Sequence, residues 1–272
     1  MACTDSEADV ALRFGLLTDC HYADKPSSGK RYYQDSLGKM REAVSRFTNA
    51  KAEFVVELGD LIDSGSNVKE EIAYLQAMEK EFAKFKKDRH FVLGNHCVYN
   101  LTKEEFFDNC AAKKPHYAFD QGDFHFVVLD ACFREDGVAY GRQNYDWTDS
   151  NIPASQIEWL ADDLKETDKP TIVFIHQRID KDDVYAVKNA PEVREALERS
   201  GNVLGVFQGH THQNDYNNIR GIHYCTLRAV VEDPDLKNNS FALVDLFADG
   251  SIRVDGFHRQ KDYTWKPQEQ TT

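Results

Sequence analysis

Side chains with oxygen or nitrogen donor atoms follow directly after several short apolar runs in this sequence. The run from Phe54 to Leu58 stops at Gly59, and Asp60 follows at once. Four further runs end in the same way, in Asp19-Cys20-His21, Gly94-Asn95-His96, His176 and Gly209-His210-Thr211-His212. Because ligands of open α/β sheets bind where strands end, we expect these groups to meet at one site. Carboxylate and imidazole donors suit Mn, Fe, Zn or Ni better than Ca, and one carboxylate can bridge two cations roughly 3.5–4 Å apart.

The elements that must carry these groups alternate between strands and helices as far as residue 212. Apolar runs predict strands at 12–18, 54–58, 91–93, 116–119, 124–130, 171–175 and 203–208. Helical spacing and capping signals predict helices at 31–50, 67–87, 102–110, 155–164 and 190–200. Short strands separated by turns follow at 223–231, 241–247 and 252–257. This order predicts an α/β fold in which two packed mixed β-sheets are flanked by helices.

Composition is that of a globular protein without a nucleic-acid partner. The chain has 272 residues, of which 41% are hydrophobic and 29% are charged, as is usual for globular domains. Its net charge of −13 argues against a nucleic acid, which requires clustered Lys and Arg. Bound metal ions would reverse the local sign, so that a small phosphorylated substrate remains compatible with this charge.

No run in the sequence is long enough to predict a membrane span, and no linker rich in Pro, Gly or Ser divides the chain. We therefore predict a single domain over residues 11–260, with a flexible N-terminal segment at 1–10 and a C-terminal tail at 261–272. The oligomeric state is left open.

The six cysteines are scattered, without a C-x-x-C pair. This pattern favours reduced, mostly buried thiols in a reducing compartment. Cys20 and Cys97 lie next to proposed ligands, where each could line the site or be oxidised. Cys3 stands in the polar N-terminal segment, where a bacterial lipoprotein carries its lipid. The location therefore stays open between the cytoplasm and a lipid-anchored, periplasmic position.

Together the five polar motifs resemble the signature of the calcineurin-like metallophosphoesterases, in the order of that family and over most of the chain. The resemblance implies a four-layer αββα sandwich with two metal ions. One metal would be held by Asp19, His21, Asp60 and His212. The second would be held by Asp60, Asn95, His176 and His210, so that Asp60 is shared.

A narrower set of residues is similar to the manganese-dependent ADP-ribose/CDP-alcohol diphosphatases. The set comprises Tyr22-Ala23-Asp24, Arg31-Tyr32-Tyr33, Tyr99-Asn100, Gly221-Ile222-His223 and Val231-Glu232. His21 departs from this subfamily, whose best-known animal members carry Gln at that position. The resemblance implies two divalent ions, with Mn as the first choice and Fe, Zn or Ni as alternatives.

The same resemblance implies roles for residues around the metals. His96 would protonate the leaving oxygen or stabilise the transition state, for which an imidazole is suited. Asp63 would orient His96 or a ligand, or would be a solvated acid of the loop. The candidate substrate contacts are Arg31, Tyr32, Cys97, Tyr99, Asn100 and His223. Arg228 is a further candidate, for contact with a second phosphate.

We therefore expect a phosphoesterase in which a metal-bridging hydroxide cleaves a phosphodiester or pyrophosphate bond. The expected substrate is a small nucleotide-type molecule such as ADP-ribose or a CDP-alcohol. Alternatives are a phosphomonoesterase, a broad-specificity phosphodiesterase and, less favoured, a non-catalytic scaffold that has lost its metals. The irregular segment from Phe133 to Ile152 is either a lid over the substrate or a surface excursion.

Overall fold

The structure is a computed structural model, and it describes residues 9–111 and 114–266. Its strands are β1 (Val10–Leu17), β2 (Phe54–Glu57), β3 (Asp88–Phe91), β4 (Tyr117–Gln121), β5 (Phe124–Val128), β6 (Thr171–Phe174), β7 (Val203–Gln208), β8 (Asp215–Ile219), β9 (Ile222–Thr226), β10 (Ser240–Phe247), β11 (Ile252–His258) and β12 (Tyr263–Trp265). Its α-helices are α1 (Ser36–Asn49), α2 (Val68–Phe82), α3 (Lys103–Asp108), α4 (Ala154–Lys165) and α5 (Ala190–Ser200). Short 3-10 helices cover Tyr33–Asp35, Asn95–Val98 and Leu236–Asn238.

The strands form two six-stranded mixed sheets. The first has the order β12-β11-β10-β1-β2-β3, and the second has the order β4-β5-β6-β7-β9-β8. Strands β1, β2 and β3 run parallel to one another, as do β5, β6, β7 and β9. Because parallel strands end at the same edge, the loops after β1, β2 and β3 meet, as do those after β6 and β7.

A stack of phenylalanines joins the two sheets. Phe14 of β1 lies with its ring centroid 4.9 Å from Phe54 in the same sheet and 5.7 Å from Phe174 in the other. All are buried, together with Phe126 and Phe207. Burying each such ring contributes roughly 1.5–3 kcal/mol, so this layer fixes how the sheets, and the loops at their ends, lie against each other.

The helices cover the outer faces of the sandwich. Met40 and Phe47 of α1 and Met78 of α2 pack in one cluster with Val55 of β2. On the second sheet, Leu160 of α4 and Leu197 of α5 pack against β6 and β7. The predicted fold, two packed mixed sheets flanked by helices, is confirmed.

The predicted ends of the domain need correction. Residues Tyr263–Trp265, predicted to be part of a tail from residue 261, form β12 and pair with β11. Trp265 is buried and lies 5.9 Å from the ring of Phe207. Three residues at a sheet edge are too short to show an alternating pattern in sequence. At the other end β1 begins at Val10, while residues 1–8, including Cys3, lie outside the described residues.

Cys20, Cys97, Cys132 and Cys225 are buried free thiols, and Cys110 is partly exposed. Within residues 9–111 and 114–266, no helix combines the length and the apolar character needed to cross a membrane.

Candidate metal centre

Three of the predicted ligands form a first group between the ends of β1 and β7. The Nε2 atoms of His21 and His212 are 3.1 Å apart. Each lies 3.5 Å from Oδ1 of Asp19. A cation about 2.1 Å from each of several donors leaves those donors roughly 3–3.5 Å apart in tetrahedral geometry. The spacing of this group therefore fits a bound metal ion.

A second group lies beside the first, and Asp60 connects them. Oδ2 of Asp60 is 3.2 Å from Nε2 of His176 and 3.5 Å from Nε2 of His21. Donor atoms of Asp60, His176 and His210 all lie within 4.8 Å of one another. Asp60 thus stands between the two groups, where a bridging carboxylate would be needed.

Unpartnered donor atoms test whether cations fit these groups. Within the described part of the chain, Oδ1 of Asp19, Oδ1 of Asn95, and Nε2 of His176 and of His210 are buried and lack a hydrogen-bond partner. Buried polar atoms are rarely left so, because desolvation without a partner costs about 1–3 kcal/mol each. Four orphaned donors on predicted ligands are what two metal sites require.

The backbone at the ligands is strained. Asp19, His21, Asp60, His210 and His212 have φ angles of 53°, 45°, 58°, 70° and 61°. Such left-handed conformations in non-glycine residues cost roughly 1–3 kcal/mol each and cluster at functional sites. Here they turn the chain sharply at the strand ends, which directs each donor toward the centre of the site.

Glycines beside the ligands allow the loops to approach one another. A Cβ atom on Gly94 would lie 2.2 Å from Oδ1 of Asp60, and one on Gly59 would lie 2.5 Å from Nδ1 of His176. Neither distance is sterically possible. The glycines in the Gly-Asp and Gly-Asn-His motifs are therefore explained by contact between the ligand loops.

Charge coupling and burial set the protonation of the ligands. Burial alone would lower the pKa of His176, but Asp60 raises it to about 9. Burial and, after it, the charge of His176 lower the pKa of His210 to about 3, so that His210 is neutral at pH 7. Burial raises the pKa of Asp60, yet His176 and its neighbours hold it well below the usual range. Without metal the centre thus combines an ionised Asp60 carboxylate, a protonated His176 and a neutral His210, and a bound cation would displace the proton of His176.

The second nitrogen of three ligand imidazoles is held by an outer group. Nδ1 of His21 lies 3.0 Å from Oδ2 of Asp63, and Nδ1 of His176 lies 2.9 Å from the carbonyl oxygen of Leu58. Nδ1 of His212 lies 3.3 Å from Oε1 of Glu232. Such partners fix the ring orientation and leave Nε2 for a metal.

Asp63 and His96 both lie beside the predicted metal ligands. Oδ2 of Asp63 is 3.6 Å from Nδ1 of His96, whose side chain is 22% exposed. The backbone N–H of His96 donates to Oδ1 of Asp60 over 2.7 Å. Lys25 and Arg31 also contact the Asp63 carboxylate, at 2.8 and 3.2 Å. Asp63 therefore connects a ligand, a candidate acid and two cations.

An open groove of about 580 Å³ leads to the centre, lined by Arg31, Tyr33, Tyr185, His210, His212 and Glu232 among others. Of the predicted substrate contacts, Arg31 faces this groove. The ring of Tyr99 lies 6.0 Å from that of Tyr145, which in turn lies 6.3 Å from His96. Tyr32 is partly buried, and its backbone N–H donates to Val231.

Cys97 and Asn100, predicted to contact the substrate, make their contacts within the protein. Cys97 is fully buried in the cluster under α1 and α2. The Asn100 amide donates to Glu71 and Gly65 and accepts from Gln143, so that its polar atoms are occupied within the protein. Both residues follow the ligand Asn95 in sequence, Cys97 within the 3-10 helix at Asn95–Val98 and Asn100 just after it.

His223, another predicted substrate contact, lies within β9. β9 runs parallel to β7 and pairs His223 with Gly205, three residues before the end of β7 at Gln208. His223 therefore lies roughly 10 Å from the edge that carries the ligands. Its ring stacks on Trp265 at 4.9 Å, far from a role at the centre.

Two residues at the site, Tyr145 and Glu232, were given no role from the sequence. Burial raises the pKa of Tyr145, and its hydrogen bond with Asn95 lowers it, which places this hydroxyl beside a predicted ligand. Glu232 orients His212 and also pairs with Arg228 at 3.1 Å. Arg228, predicted to contact a second phosphate, is thus already engaged with an acidic partner. The two tyrosines and the tryptophan of the 133–152 segment were the available clue to Tyr145.

Comparisons with known proteins agree with this geometry. The chain is 24% identical over 297 residues to the manganese-dependent ADP-ribose/CDP-alcohol diphosphatase of rice, covering 92% of each chain. It is 24% identical to the zebrafish protein of the same name, covering 94% of this chain and 98% of the relative. Among solved structures, a dimetal phosphatase from zebrafish superposes with a TM-score of 0.83 and 24% identity, covering 96% of this chain and all of the other.

The calcineurin-like phosphoesterase family matches residues 12–214, a span that contains all seven predicted ligands. The resemblance inferred from the five motifs is confirmed, as is the prediction of a metal-dependent hydrolase. The chain belongs to the calcineurin-like phosphoesterase family.

Proposed function

We propose that this protein hydrolyses the pyrophosphate bond of a small nucleotide-type substrate, such as ADP-ribose or a CDP-alcohol, with two Mn²⁺ ions. The observation that carries the proposal is the position of Asp60 between two donor groups whose buried atoms lack partners. The choice of substrate is supported by relatives that bear this activity in their names and align over nearly their whole length.

When bound, two divalent cations acidify water and neutralise negative charge on a phosphoryl group. The protein's own residues provide the remaining functions. The Asp63 carboxylate orients His21 as a ligand and lies 3.6 Å from Nδ1 of His96. This contact leaves the other nitrogen of His96 available to give a proton to the leaving oxygen.

Arg31 supplies positive charge on the wall of the groove. Its guanidinium contacts Asp63, and its side chain remains 35% exposed. A pyrophosphate has a second phosphoryl group beyond the one at the metals, and an exposed guanidinium is suited to bind it. In a chain of net charge −13, this local cation favours a diphosphate over a monoester.

A broad-specificity phosphodiesterase, or a phosphomonoesterase, is the second candidate. It is favoured by His21, which stands where the best-known animal diphosphatases carry Gln and whose Nε2 lies within ligand distance of His212. An added metal ligand at this position would alter the affinity or identity of one ion. A scaffold without metals is disfavoured by the four orphaned donor atoms.

The test compares turnover of ADP-ribose and of p-nitrophenyl phosphate by the Mn²⁺-loaded protein at equal concentrations. We expect a clear preference for ADP-ribose in kcat/KM. Asp60→Ala should lower turnover of both by more than about 100-fold, since losses of 10–100-fold are typical of residues outside the ligand set. Asp123→Ala, at an exposed turn, is the matched control.

A preference for p-nitrophenyl phosphate would reject the diphosphatase and favour the second candidate, a phosphomonoesterase or broad-specificity phosphodiesterase. Retained turnover in the Asp60→Ala protein would reject the metal centre as the active site.

A further inference from the structure

We propose that Trp147 and Tyr185 form a stacking platform for the base of the substrate, at the rim of the metal centre. This inference rests on the proposed function and deepens it, because it assigns the part of the protein that recognises the nucleoside. Neither residue belongs to a motif that predicts a site from the sequence.

The two rings are exposed and in contact with each other. Trp147 is 42% and Tyr185 is 39% exposed. Their ring centroids are 5.3 Å apart and their planes are inclined by 33°. Large aromatic side chains are normally buried, so an exposed pair marks a binding surface more often than a single exposed ring does.

The pair adjoins a ligand of the metal centre. The ring of His210 lies 6.2 Å from Trp147 and 5.8 Å from Tyr185. His210 is itself 9% exposed, and its Nε2 has no partner within the described residues. Tyr185 and His210 line the same groove. A phosphate at the metals would therefore place the rest of a nucleotide within reach of these rings.

A tight turn presents Trp147. The backbone N–H of Asp149 donates to the carbonyl oxygen of Asp146 over 2.9 Å. The hydroxyl of Tyr140, which is 2% exposed, lies 3.1 and 2.9 Å from the carbonyl oxygens of Asp146 and Asp149. The turn is thus attached to the core, which lowers the entropic cost of holding the indole in place.

A second turn presents Tyr185. Its backbone N–H donates to Oδ1 of Asp183 over 2.9 Å. The same carboxylate lies 3.4 Å from the guanidinium of Arg178, which is 4% exposed. Two loops separated in sequence therefore hold their aromatic rings against each other, each through a buried anchor.

The arrangement of the rings favours a flat heterocycle over a quaternary ammonium group. A cation–π site encloses its ligand with aromatic faces on several sides. Here the two rings are inclined to each other by 33°, and each is about two-fifths exposed. A base can stack on an exposed ring, and base–aromatic stacking contributes roughly a factor of 5 to 150 in affinity per base.

The experiment measures binding of AMP, ribose 5-phosphate and phosphocholine to the Mn²⁺-loaded full chain by calorimetry. Ribose 5-phosphate reports the phosphate site alone, and AMP adds the base. For the wild type we expect AMP to bind at least about tenfold more tightly than ribose 5-phosphate. Trp147→Ala and Tyr185→Ala should each remove most of that difference and leave the ribose 5-phosphate affinity unchanged.

Trp147→Phe should retain most of the AMP affinity, because it keeps an aromatic face. Tyr216→Ala is the matched control, and it should leave the AMP affinity unchanged. Tyr216 is similarly exposed, at 38%, but its ring stacks on Trp265 and not beside the metal-binding His210. Equal wild-type affinities for AMP and ribose 5-phosphate would overturn the platform while leaving the metal centre standing. A selective loss of phosphocholine binding in Trp147→Ala would overturn the assignment to a base. Failure of the wild type to bind any of the three would refute both the platform and the proposed function.

Discussion

Replacing Asp63 by Asn tests how the metal centre is supported, because it changes charge and hydrogen bonding with almost no change in volume. One carboxylate oxygen, Oδ2, contacts Nδ1 of His21 and the guanidinium of Arg31. The other, Oδ1, accepts from the ammonium group of Lys25 and the backbone N–H of Ser64. Both sides of the carboxylate therefore face donors.

An amide cannot accept on both sides. If its oxygen faces Lys25, its NH₂ group faces His21, and the imidazole proton must move from Nδ1 to Nε2, the atom the metal needs. If its oxygen faces His21, its NH₂ group opposes two donors at Lys25 and Ser64. The first orientation should weaken metal binding by about 10–100-fold. The second should lower the free energy of unfolding by roughly 1–3 kcal/mol.

The assays are Mn²⁺ affinity by chelator competition, kcat/KM on the preferred substrate, and urea unfolding of the metal-free protein. Asp24→Asn provides the same chemical change at an exposed carboxylate that contacts Gln34, and it should alter none of the three. An Asp63→Asn protein with unchanged metal affinity and an unchanged urea midpoint would refute the reasoning.

Three further predictions follow from the same structure. Gly94→Ala should lower kcat/KM at least about tenfold, because the added Cβ would collide with Asp60. Gly38→Ala is the control: its Cβ would lie 3.7 Å from the nearest atom, and it should leave kcat/KM unchanged in the same assay. Removing metal with a chelator should lower the melting temperature, and Mn²⁺ at 100 times its Kd should restore about 2.7 kcal/mol of stability. Lys39 is buried with its ammonium group on carbonyl oxygens of residues 230–233, and burial lowers its pKa from 10.5 to about 8. Between about pH 8 and 10.5 the unfolded chain therefore binds more protons than the folded protein. The free energy of unfolding of the wild type, relative to that of Lys39→Met, should rise with pH across this window in urea titrations. A difference that does not change with pH would contradict the assignment.

The metal ligands could be predicted because their signal is local. Asp60 comes three residues after the end of β2, and His176 comes two residues after the end of β6. A strand ending can be recognised from a short apolar run, and parallel strands bring their ends together without further information. The family resemblance adds the assignment of each donor to an ion, which spacing alone does not provide.

Residues whose place depends on register or on distant contacts could not be predicted in this way. His223 was assigned to the site from its motif, but the pairing of β9 with β7 places it three residues inside the sheet, away from the edge that carries the ligands. Glu232 reaches His212 only because the chain returns over the first ligand loop, where Val231 donates to Asp19. β8 was missed because its sequence, Asp-Tyr-Asn-Asn-Ile, is mostly polar and its side chains are partly exposed.

The strand order has a consequence for how the protein is made. All predicted ligands precede residue 214, where the family match ends, but β1 is hydrogen-bonded to β10 from the last part of the chain. A fragment ending at 214 would contain every donor and still leave β1 as an open edge, without the side chains of Val244, Val254 and Trp265 that close the core. On the ribosome, the first sheet stays incomplete until nearly the whole chain has emerged. During most of its synthesis the nascent protein therefore lacks the partner for one edge of β1, and exposed strand edges of this kind are where aggregation begins and what chaperones protect.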